Sequence, residues 1–267
     1  MSYLTANMNM LMSVVKKAAS SLTRDFSEIE KLQSSVKGHQ EFVAAAVKKV
    51  ESSLRTELAK ARPNYAFAEN GKPQPNAPHF IVSSLDGVVN FAHGIPHFSI
   101  SVATVENGVL TAAVIYNPAT DELYFAEKGN GAYKEGFRNH ERLRVSFRKD
   151  LPECVFSTLI SYKDNIAEYN AVRDRIVPEV NALRVFGAAS LDLAYVAAGK
   201  LDATVSLGNS LSEIAAGILL VKEAGGSVYE LNQKDIRSED LAAVLRSGNI
   251  IACNANLGKK VYDLLNK

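Results

Sequence analysis

The stretch that most constrains this chain runs from Phe80 to Phe98. Three apolar residues, Phe80, Ile81 and Val82, lead through Ser83-Ser84-Leu85 into Asp86-Gly87 and then into Val88-Val89-Asn90-Phe91. The pattern predicts a strand, a tight turn and a short helix. Such a layout aims backbone N–H groups at one point beyond the strand end, which suits an anion. Acidic side chains at a strand end are also the usual way to hold hard cations, and within this loop only Asp86 can do so.

The rest of the chain divides by texture. Leu4 to Leu22 places Met8, Leu11, Met12, Val15 and Ala18 at helical spacing. The methionine stripe reads as core packing more readily than as a partner groove. A second helix spans Phe42 to Leu58 and stops before Pro63, which cannot continue it. Gly71 to Pro78 reads as an exposed loop. Residues 97–104, 108–116 and 121–127 are short strands separated by Glu106-Asn107-Gly108 and Pro118-Ala119-Thr120, hence antiparallel with tight turns. Gly129-Asn130-Gly131 is a hairpin turn and not a nucleotide loop, because no helix and no third glycine follow. From about residue 149, strand-like runs (153–159, 182–186, 202–207, 249–253) alternate with helical ones (164–175, 188–199, 211–224, 256–266), an α/β pattern. The expected organisation is an N-terminal α+β domain over 1–148 and a C-terminal α/β domain over 149–267.

Composition narrows the function classes. The chain has 267 residues, 47% of them hydrophobic, enough for a large core. Thirty basic and 29 acidic residues leave a formal charge of +1, which gives no global reason for nucleic-acid or membrane binding. Cys154 and Cys253 each lie in an apolar run and read as buried small hydrophobes, pointing to a reducing, cytoplasmic setting. No apolar run reaches the roughly 18 residues of a membrane span. Lys16 and Lys17 follow the first apolar residues, the wrong order for a secretory signal.

Ser83-Ser84-Leu85-Asp86-Gly87-Val88-Val89-Asn90-Phe91 resembles the pattern Asp-Pro-(Ile/Leu)-Asp-Gly-Thr-Thr-Asn-Phe of the inositol monophosphatase family, its SuhB-like bacterial branch in particular. Ser212-Glu213-Ile214-Ala215-Ala216-Gly217 resembles the family's Trp-Asp-x-Ala-Ala-Gly. The run from Gly187 to Gly199 is similar to the bacterial members almost residue by residue, and the likeness extends over nearly the whole chain. The resemblance implies a layered αβαβα sandwich, a homodimer, and Mg²⁺-dependent hydrolysis of a phosphate monoester, in which two or three ions polarise the phosphate and activate a water.

Carried over residue by residue, the resemblance assigns metal positions to Glu69, Leu85 through its carbonyl, Asp86 and Glu213. A one-residue shift would put Asn70 in place of Glu69, and a plain loop glutamate is an equal reading of Glu69. Ser83 stands where the family has a bridging aspartate. A serine hydroxyl is neutral and ligates Mg²⁺ poorly. Asp86 could alternatively cap the next helix. Glu213 is one methylene longer than the family's aspartate, and a first-turn glutamate favoured by the helix dipole is the competing reading. The family's water-activating threonine is Val88 here. Ala44 and Val47 replace a hydroxyl and a carboxylate on the second helix. Both ends of one hydrogen bond have become apolar, a change that can be nearly neutral for stability.

The phosphate and substrate positions implied are the Gly87 and Val88 amides, Gly187, Ala188, Ala189 and Ser206, the last standing for a sugar-binding glutamate. His93 and His97 are four residues apart, but Pro96 lies between them and excludes a helical metal pair, so His97 is expected to be structural. Asp192, in an otherwise apolar helix, is expected to make local polar contacts. Two readings follow. One is a weak or repurposed phosphatase with Mg²⁺ weakly held or absent. The other is a non-catalytic member that binds a protein partner, by analogy one of the transcription machinery, or a small phosphorylated ligand.

Overall fold

The structure is a computed structural model and describes residues 4–32, 39–68, 77–160, 166–233 and 241–266. Two long helices open the chain, α1 (Ala6–Leu32) and α2 (His39–Ala61). Met8, Leu11, Met12, Val15, Ala18 and Leu22 of α1 are all buried, so the methionine stripe is core. Phe26 and the buried Ile29 extend the same stripe, which is why α1 runs ten residues past Leu22.

The first sheet has seven strands in sequential order: β1 (Ala66–Phe67), β2 (His79–Asp86), β3 (Ser99–Glu106), β4 (Val109–Asn117), β5 (Glu122–Glu127), β6 (Gly131–Lys134) and β7 (Glu141–Arg142). All its pairings are antiparallel except β1 with β2. The short helix α3 (Val88–Ala92) follows β2. A second, five-stranded sheet holds β8 (Val155–Ile160), β9 (Ala182–Arg184), β10 (Ala203–Leu207), β11 (Gly226–Glu230) and β12 (Ile250–Asn254), in the order β11-β12-β10-β8-β9. Here β8, β9 and β10 run parallel, and β12 is antiparallel to its neighbours. The intervening helices are α4 (Ile166–Ile176), α5 (Ala189–Ala197), α6 (Leu211–Glu223), α7 (Leu241–Ser247) and α8 (Gly258–Leu265).

Three apolar clusters define the layers. One joins α1 and α2 to a face of the first sheet. The largest fills the space between the sheets around α5 and α6. The third sits between the second sheet and the outer helices α4 and α8. The order is therefore α, β, α, β, α, as expected. Both halves of the chain contribute to the central cluster, from Ile81 to Ala252. Cys154 and Cys253 are free and buried.

The hairpin between β5 and β6 is held from the other half of the chain. Glu223, at the end of α6, accepts the Gly129 amide on one carboxylate oxygen and the Gly131 amide on the other, each at 2.9 Å. At the end of β2, Gly87 has φ 81°, and an added Cβ would lie 2.9 Å from the His97 carbonyl oxygen and 3.2 Å from Ala188 Cβ. Gly87→Ala therefore combines a left-handed backbone with a steric clash. We expect it to lower unfolding free energy by about 1–3 kcal/mol in urea titrations, against a few tenths for a surface Gly→Ala.

Candidate functional site

A bulge aims Asp86. Ile81 packs between the sheets, and Val82 packs on the α1–α2 side. Ser83 pairs with Ser101 across β3, but the next register pair is Asp86 with Ser99. Ser84 and Leu85 thus oppose Ile100 alone. The extra residue inverts the alternation, so Leu85 joins the α1–α2 side and Asp86 turns in towards α5. There the Ser190 amide donates to Asp86 Oδ2 at 2.7 Å and the Ser190 hydroxyl to the same oxygen at 2.5 Å, with Ser99 Oγ 2.7 Å from Ser190 Oγ. Asp86 is 4% exposed. Burial pushes its carboxyl up to about 6, with the Glu213 charge adding to the push. The Ser190 donors and the Gly87 amide pull the other way.

Glu213 lies in the first turn of α6 and accepts the Ser210 amide at 2.7 Å, so it caps its own helix. The spacing Ser210-x-x-Glu213 was the sequence signal for this. Hydroxyls surround the two carboxylates. Ser101 Oγ donates to the Ser212 carbonyl at 3.2 Å, Ser210 and Ser212 hydroxyls are 3.0 Å apart, and Ser83 is buried opposite Ser101.

The three positions that the resemblance assigns to water activation lie together. Ala44 and Val47 of α2 and Val88 of α3 line one groove. Asn90 pins this region to the second half, donating to the His97 and Phe186 carbonyls at 2.7 Å each. Gly187 closes against the Asn90 side chain, whereas Ala188 and Ala189 are buried in the central core. Ser206 lies buried in β10, its hydroxyl donated to Asn209 Oδ1 at 2.8 Å, and so is committed internally. Glu69 and Asn70 lie outside the described residues.

A model of the inositol monophosphatase family matches residues 5–267. The chain belongs to this family. It is 40% identical to the inositol-1-monophosphatase of Rhizobium meliloti, over 98% of this chain and 97% of that protein. It is 33% identical to Nus factor SuhB of Xylella fastidiosa, over 92% and 91% respectively. The native crystal structure of extragenic suppressor protein suhB from Bartonella henselae superposes with a TM-score of 0.84 at 38% identity, covering 98% of this chain and 99% of that one.

Members of the inositol monophosphatase family are generally Mg²⁺-dependent, and Mg²⁺ demands several oxygen ligands in near-octahedral geometry. Among the described residues no three or more His, Cys, Asp or Glu side chains converge. Asp86 and Glu213 are electrostatic neighbours, but Asp86 Oδ2 already receives two hydrogen bonds and Glu213 Oε2 one. At Ser83, where the resemblance implies a bridging carboxylate, the chain has a neutral hydroxyl. Asp86 and Glu213 are thus the carboxylates described at this place, with Glu69 outside the described residues.

Sequence reasoning missed Ser190 and Ser99, for which no spacing rule exists. Asp192 of α5 is a second buried carboxylate. This residue is 1% exposed and neither carboxylate oxygen has a hydrogen-bond partner among the described residues. Its nearest opposite group is His97, whose Nε2 sits 3.9 Å from Asp192 Oδ1 and also lacks a hydrogen bond. The local polar contacts are loose ones, to the Ser157 hydroxyl and the His97 ring. Burial raises the Asp192 carboxyl well above its usual range, against the pull of the Ser157 hydroxyl, and lowers His97. His97 stacks on Phe186 at 5.1 Å, the structural role expected of it.

These shifts set a pH dependence. Because the Asp86 carboxyl is raised from 3.8 to about 6, the folded chain keeps a proton that the unfolded chain releases. Unfolding free energy therefore falls as pH rises from about 4 to about 6 and levels off above. Asp192 acts in the same sense. His97, lowered by burial, acts oppositely as pH drops below about 6.5. We expect Asp86→Asn to remove on the order of 2 kcal/mol of the difference between about pH 4.5 and about pH 7.5 in urea unfolding. An unchanged difference would mean that no Asp86 charge is buried.

Proposed function

We propose that this chain is a binding member of the inositol monophosphatase family in which phosphate-ester hydrolysis is lost or strongly reduced and Mg²⁺ is held weakly or not at all. The observation that carries this reading is the joint loss of oxygen donors at one place. Ser83 replaces the bridging carboxylate, Val88 and Val47 leave no hydrogen bond to orient a water, and Glu213 is occupied with Ser210. Loss of a general-base contact alone typically costs about 10²–10⁴-fold. Backbone donors survive side-chain loss, so the Val88 amide remains suited to a phosphorylated small ligand, while the Gly87 amide is turned to Asp86.

The Nus factor names carried by relatives such as that of Xylella fastidiosa support a protein partner of the transcription machinery. The same analogy supports a homodimer in the cytoplasm. In the described residues no helix is long and apolar enough to cross a membrane. The competing reading, a slow phosphatase, draws on the name of the Rhizobium meliloti relative.

Phosphate release from inositol 1-phosphate in millimolar Mg²⁺ separates the two. We expect release at background. The combined variant Ser83→Asp, Val88→Thr, Val47→Asp, Ala44→Thr and Glu213→Asp should bind Mg²⁺ more tightly in calorimetry. Clear turnover by the unaltered chain refutes the proposal, and an unchanged Mg²⁺ affinity refutes the residue assignments.

A further inference from the structure

The groove between α2 and α3 has a volume of about 860 Å³, and its walls include Val43, Ala44, Val47, Val88, Val89 and Ala92. Val88 and Val89 are 42% and 71% exposed at the start of α3, and Ala44 is exposed on the facing turn of α2. Apolar side chains from two elements thus face each other across open space, where a free helix face would ordinarily be polar.

The edge of the groove is polar and unevenly committed. Glu51 is engaged by Arg55 at 3.0 Å, and the neighbouring Lys49 by Asp25 at 3.3 Å. Lys48, which lines the groove, has no acidic partner among the described residues. Gln40 and His93 complete the rim. An apolar trough with one uncommitted ammonium group calls for an occupant with an apolar body and an anionic end. The volume lies within the roughly 300–1,000 Å³ of small-molecule sites, which are mostly apolar with a few placed polar groups.

We propose that this groove is a binding site for a small amphiphilic anion, an aliphatic or aromatic carboxylate whose tail lies between Val47 and Val88 and whose carboxylate meets Lys48. The inference rests on the reading that the cleft binds and does not turn over substrate, since it fills the place where the water-activating pair would stand.

The test uses the full chain and sub-micellar decanoate in isothermal titration calorimetry, with decyltrimethylammonium as the matched cation. Saturable one-to-one decanoate binding is expected, with the cation bound at least about tenfold more weakly. Val47→Asp with Val88→Thr should weaken decanoate at least about tenfold, because a carboxylate then lines the trough. Lys48→Gln should remove the preference for the anion while leaving tail binding in place. Val109→Thr, an exposed valine on the distant β3–β4 hairpin, should change nothing, and circular dichroism confirms that each variant is folded. No saturable decanoate binding, or equal binding by the Val47/Val88 variant, overturns the proposal. Phosphate release from inositol 1-phosphate is measured on the same preparation. Background release without decanoate binding overturns only this inference, whereas turnover without decanoate binding overturns both readings.

Discussion

The centre of this molecule is organised by one carboxylate taken out of water. A buried charge is costly unless donors meet it or a proton neutralises it. Asp86 meets both conditions in part. The bulge in β2 points it inward, the left-handed turn at Gly87 lets α3 start without pushing it away, and the first turn of α5 delivers two donors from Ser190. None of these three features is sufficient alone. Remove the bulge and the side chain faces α1. Remove the close approach at Gly87 and α5 cannot bring Ser190 within reach.

The fold was largely legible because its signals are periodic. The helical stripes of α1 and α2, the alternating strands β3 to β5 and the strand–helix alternation after residue 149 are all where the sequence put them. The misses have local causes. α1 continues beyond Leu22 because Phe26 and Ile29 keep the apolar face through a polar stretch. α7 has a single buried residue, Val244, and β11 carries only two apolar side chains, Val228 and Tyr229, behind Gly225-Gly226, so neither shows a clear period. At the site, the family pattern pointed to Asp86, Val88 and Val47, but the partners that give Asp86 its character come from α5 and β3. Ser190 lies 104 residues beyond Asp86, and no sequence pattern announces such a pairing. The unmet polar atoms of His97 and Asp192 were equally invisible, since only packing decides which neighbours a side chain lacks.

Two pairs of side chains, Val47 with Val88 and Asp192 with His97, differ in their energetic meaning. Where Val88 and Val47 face a common groove, both side chains are apolar, and neither leaves a polar group stranded. Where Asp192 faces His97, both groups remain and lie just too far apart for a hydrogen bond. The first arrangement is permissive: it costs the fold little and frees the surface for other contacts. The second is demanding, because a buried carboxylate with such loose partners is held mainly in its protonated form.

The grip of Glu223 on the β5–β6 hairpin has a consequence for biogenesis. The carboxylate lies 94 and 92 residues downstream of the two amides it receives. On a ribosome the hairpin emerges long before the group that fastens it, so the early sheet waits unclasped until α6 has been synthesised. Maturation of the first half is thereby timed by the second, and a nascent chain stalled between them would expose a sheet face that has no cover of its own.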